Sequence, residues 1–112
     1  NNLTGNCRGI KVENSHQIYL KNNYIWDSFC FSTGIEVTNS SPFIWNNIIA
    51  NNNGGGIMCE DNSAISLSSN NILGNQNYGL NNTDANVTIV ADGNYWGNSG
   101  GPGASDIMGN VI

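Results

Sequence analysis

Residues 70–75 read Asn-Asn-Ile-Leu-Gly-Asn, with two asparagines before a short apolar segment and a third after it. The pattern Asn-Asn-hydrophobic-x-x-Asn/Asp occurs five times, although Gly93 replaces the first asparagine in the last copy. The other copies begin at residues 1, 22, 46 and 93, so successive copies are 21, 24, 24 and 23 residues apart. Self-similarity at a period of about 20 to 50 residues indicates a repeat architecture.

A second pattern recurs with the first. A glycine followed by a short alternating segment begins at Gly9, Gly34, Gly56 and Gly79, at spacings of 25, 22 and 23 residues. A third apolar segment fills the rest of each repeat, at residues 18–20, 43–45, 65–67 and 87–90. Each repeat of 21 to 25 residues therefore holds about three short strands separated by turns. The pattern predicts an all-β parallel β-helix, a solenoid of about four to five coils with three strands per coil.

Stacked coils should align their inward residues in columns. The alternation predicts one column of Ile10, Ile35, Ile57 and Leu80, and beside it a second of Val12, Val37, Cys59 and Asn82. Alignment of the five copies predicts a third column of Leu3, Tyr24, Ile48, Ile72 and Tyr95. The inward face of the third strand stays open, because both of its alternations carry apolar residues.

Asparagine makes up twenty-three of the 112 residues, a composition that also occurs in disordered chains. The asparagines are periodic, however, and Asn suits corners because it tolerates the left-handed backbone conformation. Its amide can also hydrogen-bond to the same residue in neighbouring coils. The predicted ladder is Asn23, Asn47, Asn71 and Asn94, or their neighbours at 1, 22, 46 and 70. Positions 6, 27, 51, 75 and 98 could form a second ladder.

Length and charge limit the function classes. A chain of 112 residues allows one domain, with coils at residues 1–102 and a tail or last partial coil at residues 103–112. The net charge of −5 argues against nucleic acid and against an anionic membrane surface as partners. No apolar run approaches the roughly 20 residues that span a bilayer, so membrane insertion is not expected. The chain starts without Met, which is consistent with a fragment of a longer β-helix.

The repeats resemble the right-handed parallel β-helix superfamily, the pectate-lyase-like fold. Residues 65–75, Ile-Ser-Leu-Ser-Ser-Asn-Asn-Ile-Leu-Gly-Asn, carry the resemblance most clearly. Residues 92–102, Asp-Gly-Asn-Tyr-Trp-Gly-Asn-Ser-Gly-Gly-Pro, and Gly109-Asn110-Val111 are similar to the stretches that close β-helix regions in secreted microbial proteins. The resemblance implies an extracellular or cell-surface location. The superfamily contains lyases, hydrolases, esterases and epimerases as well as adhesins and surface-layer proteins, so the fold alone selects no function.

The sequence offers few residues for catalysis. A lyase of this fold would need a basic residue to take a proton, and the candidates are Arg8, Lys11, Lys21 and His16. Lys11 and Glu36 are predicted on adjacent rungs, where a surface ion pair is the simpler interpretation. The grouped aspartates that hydrolases of this fold carry are absent, and no catalytic residue is predicted. A single His and three Cys without Cys-x-x-Cys spacing predict no metal site, and no cofactor is expected.

The cysteines and aromatic residues leave alternatives open. Cys7 and Cys30 fall in the same turn region of neighbouring coils and are a candidate disulfide, whereas Cys59 should be a buried thiol. Trp26 and Trp45 are either platforms for sugar rings or hydrophobic corner plugs. A carbohydrate-contact set would combine Trp26, Trp45, Lys11, Glu36 and His16. Sequons for N-glycosylation begin at Asn2, Asn39, Asn81 and Asn86.

Three functions follow as expectations. The first is an extracellular structural or interaction module without its own active site, with copies stacked end to end as a homo-oligomer or filament. The second is a carbohydrate-binding module that holds a polysaccharide. The third is a fragment of a polysaccharide lyase or epimerase that works through Lys11, Glu36 and His16.

Overall fold

The computed structural model describes residues 1–7 and 9–112, which form strands joined by turns. The strands are β1 (Asn2–Thr4), β2 (Ile10–Glu13), β3 (Tyr19–Lys21), β4 (Tyr24–Trp26), β5 (Thr33–Thr38), β6 (Phe43–Trp45), β7 (Ile48–Ala50), β8 (Gly55–Glu60), β9 (Ser66–Ser68), β10 (Asn71–Leu73), β11 (Leu80–Asn82) and β12 (Ile107–Gly109).

These strands form three parallel sheets. Sheet A contains β1, β4, β7 and β10, sheet B contains β2, β5, β8, β11 and β12, and sheet C contains β3, β6 and β9. The chain visits sheets A, B and C in turn, so each circuit makes one coil. The bridge Asn71–Tyr95 extends sheet A by a further rung, and a separate parallel bridge joins Ile89 to Val111. The prediction of an all-β parallel solenoid with three strands per coil is confirmed.

Sheet B has the register that its alternation predicts. Ile10 pairs with Ile35, Ile35 with Ile57, and Ile57 with Leu80. The adjacent column of Val12, Val37, Cys59 and Asn82 is in register too. From the second coil onward these side chains are almost completely buried. Burying an aliphatic side chain of this size contributes roughly 1.5 to 3 kcal/mol, so the columns form the centre of the apolar core.

The predicted column in sheet A was wrong, because it mixed the two faces of the sheet. The inward column is Leu3, Ile25, Ile49 and Ile72, whereas Asn2, Tyr24, Ile48, Asn71 and Tyr95 point outward. Only 23 residues separate the equivalent positions Asn47 and Asn70, so matching Asn46-Asn47 to Asn70-Asn71 shifts the register by one. A one-residue shift moves every side chain to the opposite face.

Each corner that leads into sheet A combines a left-handed residue with an inward asparagine. The left-handed residues are Asn22, Asn46, Ser69 and Gly93, with φ between 56° and 75°. The residue that follows each of them turns into the core. The ladder is therefore Asn23, Asn47, Asn70 and Asn94. The prediction of Asn71 as a ladder member was wrong, since Asn71 is exposed on β10.

The ladder amides satisfy backbone groups as well as each other. Asn47 Oδ1 accepts a hydrogen bond from the Asn23 backbone amide at 3.0 Å, and Asn47 Nδ2 donates to Leu20 O at 2.7 Å and to Asn70 Oδ1 at 3.0 Å. Asn70 repeats this arrangement with Asn94 and with Ile44 O. The buried backbone would otherwise keep unpaired polar groups, so these amides stabilise the corner.

The other two corners follow the same rule. Between sheets A and B, Ser28, Asn52 and Asn75 point inward, and Asn52 Oδ1 accepts from the Ser28 amide at 3.2 Å. The second ladder was thus predicted with three wrong members. Asp27 and Asn51 occupy the left-handed position one residue earlier, and Asn98 is exposed and accepts a hydrogen bond from the Gly100 amide of its own turn. Between sheets B and C the inward residues are serines, Ser15, Ser40 and Ser63.

The C-terminal residues add to the solenoid. Strand β12 pairs with β11 in register, from Leu80–Ile107 to Asn82–Gly109. Trp96 follows the outward Tyr95 and is buried in the core cluster. Residues 107–111 therefore form a further rung of the β-solenoid.

A pair of adjacent substitutions tests the ladder register. Asn70→Ala should lower the free energy of unfolding by about 3 kcal/mol, because it removes several hydrogen bonds and leaves buried backbone groups unpaired. Asn71→Ala should change it by less than about 0.5 kcal/mol, because Asn71 is exposed. Equilibrium urea unfolding measures both values, and equal losses in the two variants would contradict the assignment.

Candidate functional site

The five residues predicted to contact carbohydrate lie on different parts of the surface. Trp26 is on sheet A and Trp45 on the outer face of sheet C, whereas Lys11 and Glu36 belong to strands β2 and β5 of sheet B. His16 is exposed in the turn between β2 and β3. The two tryptophans therefore do not share one surface. Of the other two candidate bases, Lys21 ends strand β3 of sheet C, and Arg8 lies outside the described residues.

Lys11 and Glu36 are adjacent in the sheet, and Lys11 forms an ion pair along its own strand. The Cα atoms of Lys11 and Glu36 are partners in the register of β2 and β5. Lys11 Nζ lies 2.8 Å from Glu13 Oε1, and both side chains are exposed. Exposed ion pairs of this kind contribute at most about 1 kcal/mol to stability.

Trp26 makes contacts within the protein. Its indole Nε1–H donates a hydrogen bond to Asn2 Oδ1 at 2.8 Å, in the preceding coil. Its ring stacks on Tyr24, with centroids 5.2 Å apart and an interplanar angle of 19°. The polar atom of the indole already has a partner, so Trp26 joins two coils and is a poor candidate for a ligand platform.

The outer face of sheet C carries exposed aromatic side chains. Tyr19, Phe43 and Trp45 are 66%, 44% and 52% exposed. Tyr19 and Phe43 are partners on adjacent strands, and their rings stack with centroids 5.0 Å apart and an interplanar angle of 10°. Three exposed aromatic residues on one strand pair form an apolar surface that the core does not require.

A slot lies beside these rings, where the next strand carries serines. Ser66 and Ser68 are the partners of Phe43 and Trp45, and their small side chains leave a cavity of about 280 Å³. We call this cavity the sheet C slot, and it is lined by Tyr19, Lys21, Phe43, Trp45, Ser66 and Ser68. Aromatic rings beside hydroxyl groups can contact both the apolar face and the hydroxyls of a sugar.

Sequence reasoning missed Tyr19 and Phe43 as site residues. Leu20, Ile44 and Leu67 form the inward column of sheet C, so their neighbours on each side point outward. Lys21 could have indicated the outward face of strand β3, because a lysine is almost never fully buried. Tyr19 lies two residues earlier in the same strand and therefore points to the same face as Lys21. Strand pairing then extends the outward assignment to Phe43 and Trp45.

The cysteines form one disulfide and one buried thiol. Cys7 and Cys30 are bonded, with Cα atoms 5.2 Å apart, and join the first two coils. Burial, and secondarily the charge of Glu60, raises the pKa of Cys59 from 9.0 to about 12. Burial also raises the pKa of Tyr78, whose hydroxyl pairs with that of Thr33 at 2.8 Å. None of these groups lines the sheet C slot.

The glycosylation candidates differ in accessibility. Asn39 and Asn86 are exposed in turns, Asn81 is half-buried in β11, and the Asn2 side chain accepts the bond from Trp26. Asn86 follows Asp84, whose pKa is lowered by hydrogen bonds from the backbone amides of Asn86 and Asn62.

The described residues contain no helix of the length and apolarity needed to cross a bilayer. In residues 1–7 and 9–112, no three His, Cys, Asp or Glu side chains are grouped so that they could hold a metal ion.

Comparison with known proteins gives one match. A protein-family model described as a right handed beta helix region matches residues 1–95. No curated protein and no solved structure matches the chain.

Removal of the disulfide tests how strongly it holds the first coils. The double variant Cys7→Ser/Cys30→Ser should lose about 3 kcal/mol of unfolding free energy, because the bond closes a loop with a sequence separation of 23. Urea unfolding of the variant, and of the wild-type protein under a reducing agent, measures the loss. An unchanged midpoint in both samples would contradict the prediction.

The buried thiol should be inert in the folded protein. Iodoacetamide at pH 8 to 9 should leave Cys59 unlabelled until a denaturant unfolds the chain, as mass spectrometry can show. The folded pKa lies above the unfolded value, so the contribution of Cys59 to stability is complete below about pH 9 and is lost as pH rises towards 12. Equal labelling with and without denaturant would show that the site opens.

Proposed function

Since the chain belongs to the right-handed β-helix family, we propose that it is a non-catalytic extracellular module that binds a neutral polysaccharide. The binding surface is the sheet C slot. The observation that carries this proposal is the exposure of Tyr19, Phe43 and Trp45 beside a floor of serine hydroxyls.

The chemistry of the slot suits a sugar ring. One face of a pyranose presents C–H groups, which pack on aromatic rings, while its rim presents hydroxyls that need hydrogen-bond partners. Phe43 and Trp45 offer the apolar contact, and Ser66 and Ser68 offer hydroxyls that both donate and accept. A ligand that combines these two features fits the slot better than a purely apolar molecule does.

The charge of the protein favours a neutral polymer. The net charge of −5 repels polyanions that approach within the screening length of about 8 to 10 Å. Lys21 borders the slot, but a single exposed lysine gives weak compensation. A neutral glycan avoids this repulsion and can use Lys21 as a hydrogen-bond donor.

The solenoid gives the slot a fixed geometry. Its rings stand on paired strands with a defined register, and the Tyr19–Phe43 stack restricts ring rotation. Binding then costs less conformational entropy than it would on a mobile loop. The Cys7–Cys30 disulfide supports an extracellular location, since such bonds persist in oxidising compartments. The lyase or epimerase alternative has less support, because Lys11, Glu36 and His16 do not line the slot.

Affinity electrophoresis in gels that contain neutral polysaccharides tests the proposal. The panel comprises hydroxyethylcellulose, galactomannan, arabinoxylan and a mixed-linkage β-glucan. At least one polymer should retard the protein, and Phe43→Ser/Trp45→Ala should weaken that binding by roughly tenfold or more, as expected for two lost ring contacts.

Tyr95→Ala is the matched control, because Tyr95 is an exposed aromatic residue on the outer face of sheet A. This variant should bind like the wild type, and circular dichroism checks that all three proteins are folded. Binding to none of the polymers, or equal binding by the double variant, would refute the proposal.

A further inference from the structure

The corner between sheets A and B presents two outward columns of side chains. Asp27 and Asn51 occupy equivalent left-handed positions in adjacent coils, both with φ 55°, because the preceding residues Trp26 and Ala50 are strand partners. The second column lies two residues later in each coil and consists of Phe29, Asn53 and Gln76. The backbone amides of Asn53 and Gln76 donate to the inward residues of the preceding coil, at 3.0 and 2.9 Å, which fixes this alignment.

The left-handed residues of this corner differ from those of the other two. Asn46 Nδ2 donates to Asn22 Oδ1 at 2.6 Å, and Asn39 Nδ2 donates to Asn14 Oδ1 at 2.9 Å, so those corners carry an outer amide pair. At the corner between sheets A and B, the Asp27 carboxylate could accept from the Asn51 amide in the same way. Within the described part of the chain, however, neither side chain makes a hydrogen bond to another residue. Their polar groups face outward and are available to a ligand.

These side chains surround a cavity of about 350 Å³. We call it the corner site, and it is lined by Asp27, Ser28, Phe29, Asn51, Asn53 and Gln76. Phe29 is 52% exposed and forms its apolar wall. The side chains of Asn53 and Gln76, like those of the left-handed pair, have no hydrogen-bond partner among residues 1–7 and 9–112.

The geometry points to a second binding site, which takes a single neutral pyranose ring. The Asp27 carboxylate can accept hydrogen bonds from two vicinal hydroxyls, and the three amides can each donate and accept. The Phe29 ring packs against the C–H face of the sugar. The carboxylate disfavours an anionic sugar, so the ligand class is a neutral hexose or its N-acetylated form.

The Cys7–Cys30 disulfide positions the aromatic wall. Cys30 and Phe31 both adopt left-handed conformations, with φ 65° and 56°, which are costly for residues with a Cβ atom. The disulfide holds Cys30 against the first coil, and the Phe29 amide donates to Asn6 O at 3.0 Å. The backbone of Phe29 is thereby held beside the cavity before a ligand arrives. Phe31, in contrast, is 83% exposed and does not line the cavity.

The corner site shares no residue with the sheet C slot, so the two proposals can fail separately. The test is an NMR titration of ¹⁵N-labelled protein with the methyl glycosides of glucose, galactose, mannose and N-acetylglucosamine. At least one glycoside should shift the side-chain amide signals of Asn53 and Gln76 in a saturable way. The side-chain amide of Asn46, which is bonded at another corner, should not move.

Variants then assign the binding. Phe29→Ala should raise the dissociation constant about fivefold or more, whereas the neighbouring Phe31→Ala should change it by less than about twofold. Gln76→Ala, an exposed change that leaves the fold intact, should weaken binding without altering the aromatic wall. Trp45→Ala, in the sheet C slot, should leave this titration unchanged. Absence of saturable shifts with all four glycosides, or equal effects of Phe29→Ala and Phe31→Ala, overturns the inference.

Discussion

The inward polar side chain at every corner is the constraint on which this solenoid depends. A narrow coil has to turn sharply three times, and at each turn backbone groups point towards an interior that water does not reach. An unpaired buried amide or carbonyl costs a substantial part of the stability of a small domain. Asparagine solves the problem at two corners because it carries a donor and an acceptor on one short side chain, as Asn47 and Asn52 show. Where a hydroxyl suffices, Ser40 and Ser63 take the same role.

The sequence predicted the fold and one of the three sheets accurately. In sheet B the glycine and the alternation that follows it distinguish the two faces, so the columns that begin with Ile10 and Val12 were found. In sheet A the first four repeats each have two consecutive asparagines, and the sequence does not show which of the two is the inward one. Ser69 is the left-handed residue in its coil, so Asn70 is equivalent to Asn47. An alignment of the Asn-Asn pairs would instead match Asn47 to Asn71. A corner position is defined by its backbone conformation, and several residue types can adopt it.

The candidate site was only partly predictable, for a different reason. Trp26 and Trp45 look alike in the sequence, yet one donates to a side chain of the preceding coil and the other is exposed. That difference depends on contacts between residues 24 positions apart, which a local pattern does not contain. The sheet C slot likewise arises where aromatic residues on one strand meet serines on the next. The interior therefore specifies the fold, while the outward positions can change to create binding surfaces without disturbing it.

The asparagine ladder has a direction. Asn47 Oδ1 accepts from the backbone of the coil before it, and Asn70 Oδ1 does the same for Asn47. The interior of each coil thus becomes fully hydrogen-bonded only when the coil that follows it is in place. During synthesis from the N-terminus, the coils would therefore complete their interior hydrogen bonds in order. Each coil would be completed when the next repeat has been added, and the only coil with unpaired interior groups would be the most recent one.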